Sequence, residues 1–370
     1  EVSHEEGKRM LYVKPHFYDQ FQCIADRCPD TCCAGWQIMI DEESLLKYSR
    51  VEGGFGNRLM TSIDWEEGAF LQFDGRCSCL NEKNLCDLYE ELGEEYLCST
   101  CRMYPRHVEE YEDVREWSLS LSCPEAARMI LECEEPLTFL TEETGESEPE
   151  PDESFDFLLY SSLNEIREIL FRMIQNREEA AEVRMKRCLT AGKVCQKALE
   201  EGGLFGIEEE LEQIRQEACE GEPLGFEAKS AFLRELFEME FLCEDWKKEI
   251  HEAFEILYEN GQEAYEKIRE KFGPGKWEQY SENLMMFFIY TYFCGAVYDD
   301  SIDTKICLAV YSTVMIHELS MARWIRQGKS MKKEEIWETA WRYAREIEHS
   351  DQNLAVLETY FQKGPDPYVA

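Results

Sequence analysis

The sequence predicts a mainly α-helical protein in which a small, loop-rich cysteine-cluster metal-binding domain precedes an irregular all-helical bundle. Three observations predict this. Eleven of the seventeen cysteines fall before residue 134. The stretch from Glu142 to Asp156 is acidic, carries Pro149 and Pro151 and lacks apolar periodicity, which marks a linker or exposed loop. Beyond it, apolar residues recur at helical spacing. The expected organisation is a cysteine-cluster domain over 10–141, an acidic linker over 142–154 and a helical domain over 155–370.

Taken in order, the first part offers only short elements: a strand at Gln37 to Ile40, helices from about Glu42 to Tyr48 and around Leu85 to Leu92, and a helix after Pro124. In the second part, Ile250, Phe254, Leu257 and Tyr258 share one helical face. Ile336, Ala340, Tyr343 and Ile347 form another stripe, with Trp337, Trp341 and Ala344 beside it, so that helix buries a broad face. Helix boundaries are expected at Ser281 and Glu282, at Asp303 and Thr304, and at Gly328 after a basic turn. Seven to nine helices are expected from Phe155 onward.

Composition excludes several functions. With 39 basic and 78 acidic residues the formal charge is −39, and no basic patch is segregated from it. Such a chain repels nucleic acid and anionic membrane surfaces. The longest apolar run, Leu284 to Tyr298, is interrupted by Thr291 and Gly295 and falls short of the roughly 20 residues of a membrane span. Residues 1–10 are polar and acidic, unlike a signal peptide. A cytoplasmic location follows as the expectation, and with it reduced thiols, since disulfide-dense proteins are typically small and secreted.

The cysteines carry the chemistry. Cys23, Cys28, Cys32 and Cys33 lie within eleven residues, and a second group runs Cys77, Cys79, Cys86, Cys98 and Cys101. Close spacing lowers the loop entropy of gathering ligands, and soft thiolates select zinc or iron–sulfur. Structural zinc sites usually use two paired Cys-x-x-Cys knuckles. Here only Cys98-x-x-Cys101 is such a pair, and the irregular spacing of the others favours iron–sulfur, with zinc as the alternative.

The tracts Cys28 with Cys32-Cys33, Gly75-Arg-Cys77-x-x-Leu80, Cys86-x-x-Tyr89 and Cys98-x-x-Cys101-Arg-x-Tyr104-Pro105 resemble the zinc- or iron-chelating cysteine-cluster domain. The likeness extends further. Cys32-Cys33-Ala-Gly-Trp-x-Ile-x-Ile-Asp41, Asp74-Gly-Arg-Cys77 and Trp117-Ser-Leu-Ser-Leu-Ser-Cys123-Pro-Glu-Ala-Ala-Arg128 resemble the flagellin lysine N-methylase family, FliB. The resemblance covers most of the chain, strongest from Tyr12 to Leu131. It implies metal ligation by Cys23, Cys28, Cys32, Cys33, Cys77, Cys86, Cys98 and Cys101. Cys79 sits where the family more often has an apolar residue, and Cys123 is a ninth thiol able to ligate. Eight thiolates exceed the four of one 4Fe-4S cluster, so either two centres form or some cysteines are structural.

The resemblance further implies methyl transfer from S-adenosylmethionine to lysines of flagellin. The residues do not locate that step. No strand is followed by Gly-x-Gly-x-x-Gly and a helix; Gly53-Gly54-Phe55-Gly56 and Gly202-Gly203-Leu204-Phe205-Gly206 read as turns. The radical S-adenosylmethionine triplet is missing too, because Gly35 stands where a third cysteine after Cys28 and Cys32 belongs. His317-Glu318 lacks a second histidine at position 321 and reads as a partly buried helix histidine. His107, two residues after Pro105, stands nearest the cysteines; Arg102, Tyr104 and Arg106 cap that loop or bond to a cluster. Tyr290, Tyr292 and Tyr298 read as core before pocket. Three readings compete: a methyltransferase, which needs a pocket between the cysteine domain and the helices; a metal-stapled scaffold, which needs none; and a redox or metal-handling protein, which needs an exposed centre.

Overall fold

The computed structural model describes residues 9–147, 155–273 and 275–363. The first strand, β1 (Arg9–Pro15), starts a mixed sheet that closes only after a long insertion. The insertion contains α1 (Glu42–Tyr48), α2 (Gly53–Ser62), the hairpin of β2 (Ile63–Asp64) with β3 (Ala69–Phe70), that of β4 (Gln72–Phe73) with β5 (Arg76–Cys77), then α3 (Asp87–Leu92) and α4 (Ser99–Met103). The chain returns to the sheet with β6 (Arg106–Tyr111) and β7 (Val114–Leu119), passes through α5 (Pro124–Leu131) and adds β8 (Phe139–Ser147) at the edge. The order is β6-β7-β1-β8, with β1 parallel to β7 and antiparallel to β8.

The expected strand at Gln37 to Ile40 is reduced to a single bridge, Met39 to Ala69. The helix expected from Glu42 forms as α1, capped by Asp41, whose carboxylate accepts from the Ser44 N–H at 2.9 Å. The sheet itself was not anticipated. Its strands read RHVEEY and VREWSL, and the alternation is hidden because Glu116 points inward to a buried partner. Residues 142–147 of the expected linker extend β8, with Glu142 opposite Tyr12 and Glu143 opposite Leu11; an edge strand tolerates such charges on its outer side. Residues 148–154 lie outside the described residues.

The second part consists of α6 (Phe157–Ile174), α7 (Ala181–Glu201), α8 (Ile207–Gln216), α9 (Phe226–Glu235), α10 (Glu244–Leu257), α11 (Gln262–Phe272), α12 (Trp277–Tyr292), α13 (Ala296–Asp299), α14 (Ile302–Arg326), α15 (Lys333–Glu348) and α16 (Asp351–Gln362). Eleven α-helices are thus present among the described residues, more than the seven to nine expected. The short α13 was not separable by periodicity; it ends at Asp300, which turns left-handed with φ 55°. Helix α12 begins at Trp277, so Ser281 and Glu282 sit in its buried interior and cap nothing; Glu282 instead receives Arg177 and Arg184 at 2.8 and 3.0 Å. The stripes on α10 and α15 do face the core: Ile250, Leu257, Ala340, Tyr343 and Ile347 are buried.

One apolar core runs from Phe17, Leu119, Leu121 and Ile130 through the helices to Phe361. The sheet and α5 therefore belong energetically with the helices. A second, smaller core gathers Ile38, Ile40, Tyr48, Leu59, Ile63, Phe70 and Leu88 together with Cys77, Cys79 and Cys98. Between sheet and helices, Arg167 of α6 donates to Glu116 of β7 at 2.6 Å in a buried pair. Tyr290 of α12 donates to the carbonyls of Val13 and Trp117 at 2.9 and 3.2 Å, so this tyrosine is a tie across the core.

Candidate metal centre and adjoining cavity

All the cysteines are free thiols. Those before residue 124 sort into two groups by which thiols feel one another. In the first, Cys77, Cys79 and Cys98 belong to the small core and Cys33, Cys86 and Cys101 pack against it. Short-range backbone bonds hold them there: the Cys77 N–H donates to the Cys33 carbonyl at 2.8 Å, the Asp87 N–H to the Cys79 carbonyl at 2.8 Å, and Leu80 bridges to Cys86. Asp41 joins α1 to α4, accepting from the Ser99 N–H at 2.8 Å, which sets Cys98 and Cys101 at the start of α4.

The second group is Cys23, Cys28, Cys32 and Cys123. Cys123 stands at the N-cap of α5; burial pushes its thiol up to about 11, against the pull of the Ala126 and Glu125 N–H groups. Cys32 and Cys33 are adjacent in sequence and link the groups. The eight cysteines named from the sequence thus divide five and three, and each group gains one member the sequence weighted less, Cys79 and Cys123. The signal for Cys79 was its place two residues after Cys77, just past the end of β5. For Cys123 it was the helix start at Cys123-Pro124, which aims N–H groups at the sulfur.

The thiols perturb one another's protonation in pairs. Cys32 pulls Cys33 down to about 7 through their hydrogen bond. Cys79 lowers Cys77, and Cys101 lowers Cys98, in the same way. Burial, with Cys33 and Cys77 nearby, raises Cys86 to about 11 against the pull of the Tyr89 and Leu88 N–H groups. Among the described residues, no three donors close on a point as tightly as one metal ion requires.

The loop bearing Cys28 to Trp36 docks onto the end of α15. Arg345 pairs with Asp30 at 2.7 Å, and Trp36 stacks on His349 with ring centroids 4.2 Å apart. His349 accepts from or donates to Ser122 at 2.8 Å, and burial with the nearby Arg345 lowers it to about 4, so it is neutral. Tyr104, just after the Cys98-x-x-Cys101 pair, bonds to Ser122 at 3.1 Å.

Beside this seam lies a cavity of about 470 Å³, within the range of small-molecule sites. Its walls come from Tyr104 to His107 and Ser118 to Ser120 on one side and from α12, α14, α15 and α16 on the other. The cavity thus lies between the β6–β7 edge of the sheet and the helices, and no cysteine lines it. Of the residues singled out in sequence, Tyr104, Arg106, His107 and Tyr292 line it. Arg102 instead donates to the Leu97 carbonyl at 3.1 Å. Glu348 and His349 were missed, since nothing local in the sequence marks them; the fold brings them to Ser120 and Ser122.

The remaining candidates take other roles. Gly53 to Gly56 opens α2, and Gly56 lies so close to Val51 that a Cβ would stand 2.0 Å from its carbonyl oxygen. His317 packs on Trp277 and Phe272. A second cavity, of about 350 Å³, adjoins the buried Glu318 in the helical body. No helix of the described residues is long and apolar enough to cross a membrane.

A cysteine-rich module seated on a helical body with a cleft at the seam is the class of protein that fold and site define. The helical part identifies the particular family. The FliB lysine N-methylase C-terminal domain matches residues 167–367, more than half of the chain, and the chain belongs to that family. A flagellar biosynthetic protein FliU of Salmonella muenchen is 30% identical over 133 residues, 34% of this chain and 79% of that protein. Lysine-N-methylases of Salmonella typhimurium and Salmonella choleraesuis are each 30% identical over 133 residues, again 34% of this chain but 33% of theirs. The chain therefore spans about a third of those two enzymes. No solved structure matches it.

Proposed function

We propose that this chain is a protein-lysine N-methyltransferase that moves a methyl group from S-adenosylmethionine to lysines of flagellin, and that its cysteine module holds a thiolate-bound metal centre of the iron–sulfur kind. The observation that carries the reading is membership of the lysine N-methylase family through the helical body, and the cavity between the sheet and that body supports it.

Cys33, Cys77, Cys79, Cys86, Cys98 and Cys101 form one ligand set, from which four sulfurs suffice, and Cys23, Cys28, Cys32 and Cys123 form a second. Such a centre, when bound, would staple the loops and supply a redox-capable, electron-withdrawing group. The chain's own residues do the rest. The surplus of negative charge draws in a lysine-bearing protein, and ring contacts among Trp36, Tyr104 and His349 hold the seam together. The reduced thiols suit a cytoplasmic setting.

The test is anaerobic purification with iron, sulfide and zinc analysis, followed by incubation of flagellin with methyl-labelled S-adenosylmethionine. Label on flagellin lysines, with stoichiometric iron and sulfide, is the expected result. Absence of transfer by a metal-replete chain removes the enzyme reading in favour of a stapled scaffold, and zinc without sulfide removes the iron–sulfur assignment.

A further inference from the structure

The strand that borders the cavity is also an open edge of the sheet. β6 ends the order β6-β7-β1-β8, and its register against β7 runs without a bulge from Arg106 opposite Leu119 to Tyr111 opposite Val114. Just before it, the Ser120 N–H donates to the Pro105 carbonyl at 2.7 Å. Antiparallel pairing alternates bonded and non-bonded residues. Pro105, His107, Glu109 and Tyr111 therefore turn their main-chain groups to β7, and Arg106, Val108 and Glu110 turn theirs outward. The Tyr298 hydroxyl agrees with this phase and closes one end, donating to the outward Glu110 carbonyl at 2.8 Å. Among the described residues, no main-chain group outside the sheet bonds to Arg106 or Val108.

The alternation also fixes what lies beneath the edge. His107, Glu109 and the Ser118 opposite His107 share one face and line the cavity, whereas the Arg106 guanidinium lies over Phe21. A strand added outside β6 runs about 4.8 Å from it, and every second side chain falls on the His107 and Glu109 face, over the cavity. Charge and access then select the occupant. A second copy pairing its own β6 about Val108 needs the Glu110 carbonyl that Tyr298 holds, and a formal charge of −39 on each chain opposes it. Glu109 and Glu110, engaged by His107 and Arg115 at 2.7 and 3.0 Å, still keep side chains 32% and 61% exposed, which suits a basic segment.

We propose that the β6 edge docks an extended, lysine-bearing segment of the protein substrate as a fifth strand, through the outward main-chain groups of Arg106 and Val108, with alternate side chains directed over the cavity. The partner's identity rests on the methyltransferase reading, which by itself names no docking surface.

The experiment uses the full, metal-replete chain. Val108→Pro removes one outward N–H and no bond to β7, a change that edge strands tolerate; Val108→Ala shortens the same side chain and keeps the N–H. Fluorescence anisotropy measures a short fluorescein-labelled peptide of alternating lysine and threonine, its glutamate–threonine counterpart, and the lysine peptide with its backbone nitrogens methylated. Flagellin methylation is followed in parallel. Expected are saturable binding of the unmodified lysine peptide alone, about tenfold weaker in Val108→Pro and unchanged in Val108→Ala, and a KM for flagellin about tenfold higher in Val108→Pro at constant kcat. Undiminished binding of the backbone-methylated peptide by the native chain overturns the assignment, and this arm decides the matter should Val108→Pro fold poorly. So does equal binding of the glutamate peptide, equal affinity of native chain and Val108→Pro, equal weakening in both variants, or no saturable binding at all. If binding follows the Val108 N–H while the native chain transfers no methyl group, the docking edge stands and the enzyme reading falls; transfer with an unchanged KM in Val108→Pro does the reverse.

Discussion

The cysteine module and the helical body bury their interiors by different means. In the body, Leu, Ile, Phe and Tyr from eleven helices and the sheet form one continuous core, and cysteines such as Cys188 and Cys195 are isolated thiols within it. In the module, Cys77, Cys79 and Cys98 are three of the ten buried core residues, and the helices run to ten residues at most. A core that small contributes only a few kcal/mol. The body is stable through burial, and the proposed metal centre would supply the module with what its small core lacks.

The sharpest way to break that contrast is to remove the tie. If the proposed centre ties the module together, Cys98→Ala with Cys101→Ala, or a chelator, is expected to abolish protection of residues 33–101 in hydrogen exchange, since structural metal sites are worth about 10 kcal/mol or more. The body's exchange protection should change little. Simultaneous collapse of both regions would show that they are one cooperative unit; full retention of the module would show that its core suffices.

Next in size is the ion pair joining sheet to helices. Arg167→Met leaves Glu116 buried without its partner, and a loss of about 3–5 kcal/mol in urea denaturation is expected, with recovery of most of it when Glu116→Leu is added. If the single variant costs under 1 kcal/mol, the sheet is not integral to the body.

A third test reads the body by pH. Burial pushes Glu318 up, but Lys229, His317 and the Tyr258 hydroxyl outweigh it and hold the carboxyl at about 2; Tyr258 and Tyr265 donate to it at 2.6 and 2.9 Å. A depressed folded-state value stabilises above the unfolded value near 4.3, and that contribution is lost as pH falls toward 2. The difference corresponds to about 3 kcal/mol. Glu318→Gln should flatten the acid limb of the stability profile between pH 4 and 2, and an unchanged limb would place the acid sensitivity elsewhere.

How far the sequence anticipated the molecule follows the same division. Helices of the body were legible because stripes such as Ile250, Leu257 and Tyr258 report burial directly; the sheet was not, because β7 hides Glu116 in its core-facing row and β8 is built from acidic edge residues. The thiols were legible through their spacing. Their sorting into two groups was not, since Cys123 meets Cys28 and Cys23 only after the sheet has closed around the insertion. Glu348 and His349 were invisible for a stronger reason: their partners Ser120 and Ser122 lie more than 220 residues away, and no local pattern encodes that meeting.

The smallest expected effect discriminates most finely within the module. Asp41 caps α1 through Ser44 and also holds Ser99 at the start of α4. Burial raises its carboxyl, but these two N–H donors prevail and hold it at about 2. Asp41→Ala removes both bonds and is expected to cost about 1 kcal/mol per cap. If thiolate ligation alone holds α4 in place, the metal-loaded variant should melt like the native chain and only the metal-free module should register the loss. A loss of the same size in both forms would mean that Asp41, and not the metal, positions Cys98 and Cys101.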